Sequence, residues 1–368
     1  MTATQPEALG RAYPSANGWF GSMRIHEFLI VFLLVMLPIA SVLAQETPVG
    51  IALTADAINA ADLTTVPAEF LPPPEPGDNT GSDTPLPPPA VPDPAIAKLQ
   101  ILLDRAGASP GVIDGFDGDN VRKAVTAFEL MRGLPEDGVV DPDVLGALDT
   151  SAPVVGSYTI TAEDVAAIVP EIPSDYAEMA QRDFLGYARV TELLAERFHM
   201  DEDLLVALNP GSGFAEGDQV AVAAYGPDMS GKVVRLEADK AARQLRAYDA
   251  EGHLVVAYPA TIGSESNPSP SGTHLVAAVA PMPNYTYNPE VNFQQGDNTE
   301  TLIIPPGPNG PVGSMWIDLT EPTFGIHGTP EPSRIDKTAS HGCVRLTNWD
   351  AEELSKMVEP GVPVEFVG

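Results

Sequence analysis

Apolar residues along the 368-residue chain change their spacing several times, and each change predicts a different kind of element. Residues 28–37, FLIVFLLVML, form an unbroken apolar run, followed by Pro38 and the small-residue stretch Ser41-Val42-Leu43-Ala44. That order predicts a secretory signal cleaved after Ala44. Its positive flank is thin, with Arg11 and Arg24 offset by Glu7 and Glu27, and Met23 offers a second start. The alternative is an uncleaved anchor, although residues 28–44 number only 17 and include a proline, against roughly 20 for a span. Both readings place the rest of the chain outside the cytoplasm.

Helical spacing follows. Ile96, Leu99, Leu103 and Ala106 share one face and stop at Gly107; from Asn120, Val121, Ala124, Val125 and Phe128 recur at i, i+3, i+4, i+7. Asp141 as N-cap and Pro142 at the first helical position open a third helix, with Leu145 and Leu148 inward. The acidic turn Asp114-Gly115-Phe116-Asp117-Gly118-Asp119 lacks the alternate ligands and terminal glutamate of an EF-hand loop and is read as a capped turn. Between 151 and 230 the pattern mixes a short strand at 158–165, helices at 192–198 and 201–208, and a strand at 217–222. From Lys232 the period becomes two, in runs at 233–236, 244–249, 254–262, 275–280, 316–319, 324–327 and 362–367, with one helix over 350–358 capped by Asn348 and carrying Asp350, Glu352 and Glu353 in its first turn.

These patterns predict a multidomain α+β chain. Residues 1–44 are a signal or anchor, 45–94 a Pro-rich disordered linker, 95–150 a small three-helix bundle, 151–230 a connector, and 231–368 a mainly-β, sandwich-like domain with one or two helices. The linker holds ten prolines in residues 71–94, a semi-rigid spacer reaching roughly 75 Å if fully extended.

Composition narrows the function. Asp and Glu number 51 against 19 Lys and Arg, a formal charge of −32. Such a polyanion repels phosphate backbones, which argues against nucleic acid as a partner. The single cysteine, Cys343, rules out an intramolecular disulfide. A free thiol outside the cytoplasm is prone to oxidation, so its place in Ser340-His341-Gly342-Cys343-Val344-Arg345 points to function. To attack a carbonyl near neutrality, a thiol of ordinary pKa about 8.5 needs a base within hydrogen-bond reach. Two histidines are candidates. His341 stands two residues before Cys343, on the same side of an extended chain; His327 ends an apolar run, is followed by Gly328-Thr329-Pro330, and is separated from Ser340 by twelve residues that can fold one edge over the other. His26, His199, His253 and His274 are assigned to core or surface packing. The competing chemistry is a zinc site of His327, His341 and Cys343, which lacks an evident fourth ligand.

The same residues carry a family resemblance. His327-Gly328-Thr329 followed by Ser340-His341-Gly342-Cys343-Val344-Arg345-Leu346 resembles the signature of the L,D-transpeptidase catalytic domain, over residues 233–367. Pro268-Ser269-Pro270-Ser271-Gly272-Thr273 and Ile304-Pro305-Pro306-Gly307-Pro308-Asn309-Gly310-Pro311-Val312-Gly313 are similar to two further family segments. Residues 99–148 resemble the peptidoglycan-binding three-helix domain in their LQ opening, Asp-Gly turns and AVTAF helix, and residues 193–222 resemble a LysM glycan-binding module in ALNP and EGDQVAV.

The catalytic resemblance implies Cys343 as nucleophile and His327 as base, its ring held by the carbonyl of Gly328. It implies backbone N–H groups of His341, Gly342 and Cys343 as oxyanion donors, and Arg345 with Ser340 at the substrate, Arg345 gripping a carboxylate. Some members carry Asn at the position of Arg345. The implied reaction is acyl transfer: Cys343 takes the acyl group of the third residue of a peptidoglycan stem tetrapeptide, meso-diaminopimelate, and an amine of another stem resolves the thioester. Water as acceptor would make an L,D-carboxypeptidase, a lysine of an outer-membrane lipoprotein is another acceptor, and a catalytically silent wall-binding protein is a third reading. No metal or cofactor is implied. The implied partners are peptidoglycan stem peptides and glycan, and the implied form is a monomer in the periplasm or cell wall.

Overall fold

The computed structural model describes residues 53–68, 70, 91–264, 267–291, 293–338, 340 and 342–368. The expected signal, Met23, His26, most of the Pro-rich linker and His341 lie outside them. Among the described residues, no helix is long and apolar enough to cross a membrane.

The three expected helices form as α2 (Pro94–Arg105), α3 (Asp119–Arg132) and α4 (Pro142–Ala147), preceded in the chain by a short α1 (Ala55–Ala60). Asp93 and Asp141 accept hydrogen bonds from the first free amides of α2 and α4, and Gly133, at φ +66°, ends α3. Such caps satisfy donors that a helix leaves unpaired. In the acidic turn, Asp114 accepts from Phe116 N and from Gln100, while Asp119 pairs with Arg122 and Lys123.

Residues 53–68 and 70, assigned by composition to the disordered linker, are instead part of the fold. Ile58 of α1, then Leu63, Val66 and Phe70, are buried with the helices, Asn59 binds the backbone of Val154 and Val155, and Lys98 Nζ donates to the carbonyls of Asn59 and Ala61.

The segment read as a connector is a βααβ unit. Its outer strands β1 (Val155–Thr159) and β2 (Gln219–Ala223) pair antiparallel and enclose the two main helices α7 (Val190–Arg197) and α8 (Glu202–Leu208), while the shorter α5 (Ala162–Ala166) and α6 (Tyr176–Met179) lie in the segment between β1 and α7. Leu99 and Phe128 of the helical module and Leu194, Leu205 and Val220 of this unit belong to one apolar cluster, so the two modules share a single core.

The C-terminal domain is built on β3 (Arg235–Asp239), β4 (Gln244–Tyr248), β5 (Leu254–Pro259), β6 (Thr261–Ile262), β7 (Gly272–Pro281), β8 (Tyr285–Tyr287), β9 (Leu302–Ile304), β10 (Met315–Leu319), β11 (Gly325–His327), β12 (Val344–Arg345), α9 (Asn348–Met357) and β13 (Pro363–Val367). Nine strands form one sheet in the order β5-β4-β3-β13-β7-β10-β11-β12-β6, and β8 pairs with β9 in a separate hairpin. The two ends of the large sheet are covalently joined, because only Ala260 separates β5 from β6. The sheet thus curls nearly into a barrel around Leu236, Val256, Ile317, Ile326, Val344, Val364 and Leu354 of α9.

The helical module docks on this domain through apolar packing with Tyr248, Leu254 and Ala257, and through backbone and charge. Ser109 N donates to Ala257 O and Ala257 N to Gly107 O, each at 2.9 Å. Gly107 has φ +82°, and a Cβ there would meet Val255 O at 2.9 Å, so this approach requires glycine. Lys123 Nζ lies 2.6 Å from Asp336 Oδ2, both side chains being buried, and Arg243 Nε approaches the other oxygen at 2.6 Å.

Candidate active site

β11 and β12 run parallel, with Ile326 opposite Val344 and His327 opposite Arg345. Side chains two apart on a strand share a face. Gly325 and His327 on one strand therefore face the same way as Arg345 on the other and Cys343 just before it.

His327 is 5% exposed and stacks on Trp316 at 5.6 Å. Its Nδ1 lies 2.7 Å from Gly328 O. A carbonyl only accepts, so Nδ1 carries the proton and Nε2 is the bare nitrogen, able to take one. Burial, aided by the positive charge of Arg345, holds the imidazole down to about 4 against the weaker opposing pull of the Gly328 carbonyl. Burial pushes the Cys343 thiol up, while the Gly325 amide and the Arg345 charge favour the thiolate. The resting pair is thus neutral imidazole and thiol, suited to transferring the proton during attack. Cys343 is partly exposed, and its Sγ approaches Thr323 O at 3.7 Å.

Cys343 sits on a tightly bound turn. Gly342 has φ +103°, and a Cβ there would stand 2.5 Å from the Phe324 ring. Ser269 Oγ donates to Gly342 O and Ser340 Oγ to Cys343 O, each at 2.7 Å. Ser340, expected at the substrate, has a different place: it is 2% exposed, and its hydroxyl also accepts from Gly263 N and Gly342 N. It braces the turn from beneath. The Gly342 N–H, expected at an oxyanion, is directed at that hydroxyl over 3.3 Å.

Asn348 also differs from its expected role. Thr347 caps α9, its hydroxyl accepting from Asp350 N, which frees the neighbouring amide. Asn348 Oδ1 accepts from Ser314 N, and its Nδ2 donates to both Glu196 oxygens and to Pro308 O. A Cβ on Gly328 would fall 2.1 Å from Asn348 Oδ1, so this side chain packs on the peptide whose carbonyl orients His327. Glu196, from α7, is pushed up to about 8 by burial. A rare polar side chain directly after a competent cap was the available clue to Asn348; nothing in the sequence pointed to Glu196.

Arg345 makes no ion pair among the described residues, although Glu331 lies close enough to favour its charge. The remaining histidines are engaged elsewhere: His199 with Asp104 and between Tyr225 and Trp349, His253 with Asp249, His274 with Glu321 and Ser271 O. Among the described residues no three His, Cys, Asp or Glu side chains converge as a metal would need.

Residues 234–366 match the L,D-transpeptidase catalytic domain family, and residues 92–148 match the family described as "Putative peptidoglycan binding domain". The chain is 29% identical over 179 residues to "Putative L,D-transpeptidase YkuD" of Bacillus licheniformis, covering 48% of this chain and 92% of the relative. It is 44% identical over 57 residues to the Bacillus subtilis protein of the same name, covering 16% and 35%. Among solved structures it is similar to an L,D-transpeptidase from Mycobacterium smegmatis, with 19% identity, a TM-score of 0.30, and coverage of 42% of this chain and 75% of the other.

Proposed function

We propose that this chain, which carries an L,D-transpeptidase catalytic domain behind an N-terminal peptidoglycan-binding domain, is an exported enzyme that cross-links peptidoglycan through a thioester on Cys343. The bond from His327 Nδ1 to Gly328 O carries this reading, because it leaves Nε2 as the proton acceptor on the face shared with Cys343.

As Sγ attacks the carbonyl carbon of the third residue of a stem tetrapeptide, meso-diaminopimelate in the proposed donor, its proton passes to His327 Nε2. The carbonyl electron pair moves to oxygen, and the backbone N–H groups of His341 and Cys343 are the proposed donors to that oxyanion. Its collapse breaks the peptide bond, and the departing D-alanine amine takes the proton from His327. A side-chain amine of a second stem then attacks the thioester and gives its proton to His327, which passes it to the departing Cys343 thiolate, restoring the thiol. Arg345, charged and without an ion pair among the described residues, is suited to a donor carboxylate. A lipoprotein lysine would resolve the same thioester.

Cys343→Ala is expected to abolish covalent capture of a carbapenem, read as the mass of the intact protein, while wall binding by residues 95–150 persists. Retained acylation removes Cys343 from its role. Muropeptide analysis after incubation with sacculi separates the reactions. Dimers joined between two third-position residues mean transpeptidation, tripeptides alone mean an L,D-carboxypeptidase, and unchanged sacculi mean a silent wall-binding protein.

A further inference from the structure

Between α5 and α7 the chain leaves the βααβ unit, and residues 167–189 run onto the catalytic domain as a strap. Leu185, fully buried, packs with Tyr287 and Ile304 in a small cluster separate from both larger cores, joined by Ile172, Tyr176, Met179, Tyr285 and Leu302. Its backbone is tied down: Leu185 N donates to Pro306 O at 2.9 Å, and Asn309 N donates to Leu185 O at 3.0 Å. Gly307, at φ +148°, admits this approach, since a Cβ there would lie 2.1 Å from Leu185 O. At the other end, Gln295 Oε1 accepts from Tyr176 N, Gln295 Nε2 donates to Ser174 O, and Asn298 Nδ2 donates to Asp175.

These ties place the Tyr176 ring 6.1 Å from Tyr285 and 5.2 Å from Tyr287. The three phenols differ. Tyr287 is fully buried and its hydroxyl is bonded to Asn298 O and Gln295 N, so it is structural. Tyr176 and Tyr285 are partly exposed, and neither hydroxyl has a hydrogen-bond partner among the described residues. Tyr176 lies within electrostatic reach of Arg345, and Tyr285 within reach of Cys343. Burial pushes the Tyr176 phenol up to about 12, so it is a protonated donor at neutral pH.

We propose that Tyr176, carried to the catalytic site by the strap, forms with Arg345 a subsite for a carboxylate of the donor stem peptide. A phenol O–H and a guanidinium within electrostatic reach of each other are the donors that a carboxylate needs, and here the strap brings the phenol beside the catalytic domain's own Tyr285. Tyr176 is thereby a specificity-determining residue contributed by a different module. The identity of the ligand rests on the functional reading above.

The full-length chain with Cys343→Ala tests this by calorimetry, using a synthetic stem tetrapeptide with free carboxylates and the same peptide with them amidated. Adding Tyr176→Phe is expected to raise Kd for the free-carboxylate peptide about tenfold, the size of one hydrogen bond to a charged group, and to leave that for the amidated peptide unchanged. Tyr176→His, which restores a donor, is expected to recover part of the loss. An unchanged Kd in Tyr176→Phe, equal binding of both peptides, or no binding of either overturns the subsite. Normal discrimination between the peptides by a wild-type chain that leaves sacculi untouched sinks the proposed function and leaves the subsite standing.

Discussion

Two parts of the chain hold the catalytic domain, the three-helix module and the strap, and they hold it with different chemistry. The helical module adds to its apolar packing on Tyr248, Leu254 and Ala257 a buried ion pair, Lys123 with Asp336, beside a backbone bridge from Gly107 and Ser109 to Ala257. The strap uses a small apolar cluster and neutral hydrogen bonds around Leu185 and Gln295. Asp336 lies in the segment linking His327 to Cys343, so the helical module fixes the course of that segment. The strap instead carries Tyr176, the residue proposed to meet the substrate. One contact should register chiefly in stability, the other chiefly in substrate handling.

The largest effect expected from breaking this contrast is Lys123→Ala. It leaves Asp336 buried with only the half-exposed Arg243 as partner, and losing one member of a buried pair costs about 3–5 kcal/mol. Thermal melts should show it. Lys123→Met with Asp336→Leu should recover most of the loss, since a packed apolar pair often replaces a buried ion pair without penalty. A fall of less than about 1 °C in Lys123→Ala would show that the charge pair does not secure the dock.

Next is the pH dependence centred on His327. Its folded pKa is held down to about 4, whereas an unfolded imidazole titrates near 6.5. Between those values the unfolded chain binds more protons, so stability from this group is complete above about pH 6.5 and lost as pH falls towards 4, up to about 3 kcal/mol. His327→Gln should remove that part of the slope in urea melts at pH 7 and pH 4. An identical slope would mean that the imidazole is not held neutral by burial. Gly307→Ala should have the smallest effect on stability, about 1–2 kcal/mol from strain at a positive φ, yet lower turnover of the donor peptide about tenfold by lifting the strap. A variant that melts earlier but turns over donor normally would break the distinction between the two contacts.

The strands and the candidate pair, Cys343 and His327, were legible for separate reasons. Period-two runs such as 233–236 and 316–319 announce half-buried strands wherever they occur, and one thiol beside glycine, with a second histidine–glycine pair upstream, leaves few assignments for the chemistry. The N-terminal stretch was missed because Leu53, Ile58, Leu63, Val66 and Phe70 follow neither period; they bury their side chains only where the helices and β1 stand ready. The strap was missed for the same reason, its Ile172, Tyr176 and Leu185 acquiring meaning from the β8–β9 hairpin more than a hundred residues away. Ser340 was misplaced because adjacency to a nucleophile does not reveal which way a side chain points. Asn348 was misread as a cap because Thr347, one position earlier, performs that task.

The common core of the two upstream modules, with the described residues from 53 onward forming one compact unit, has a mechanical consequence. Among those residues there is no joint between the module proposed to grip the wall and the sulfur that would react with it. A strand gripped at one end offers its side branches to the other at a set interval, as between the jaws of a locked caliper, so the choice of which branch reacts would be metrical as well as chemical.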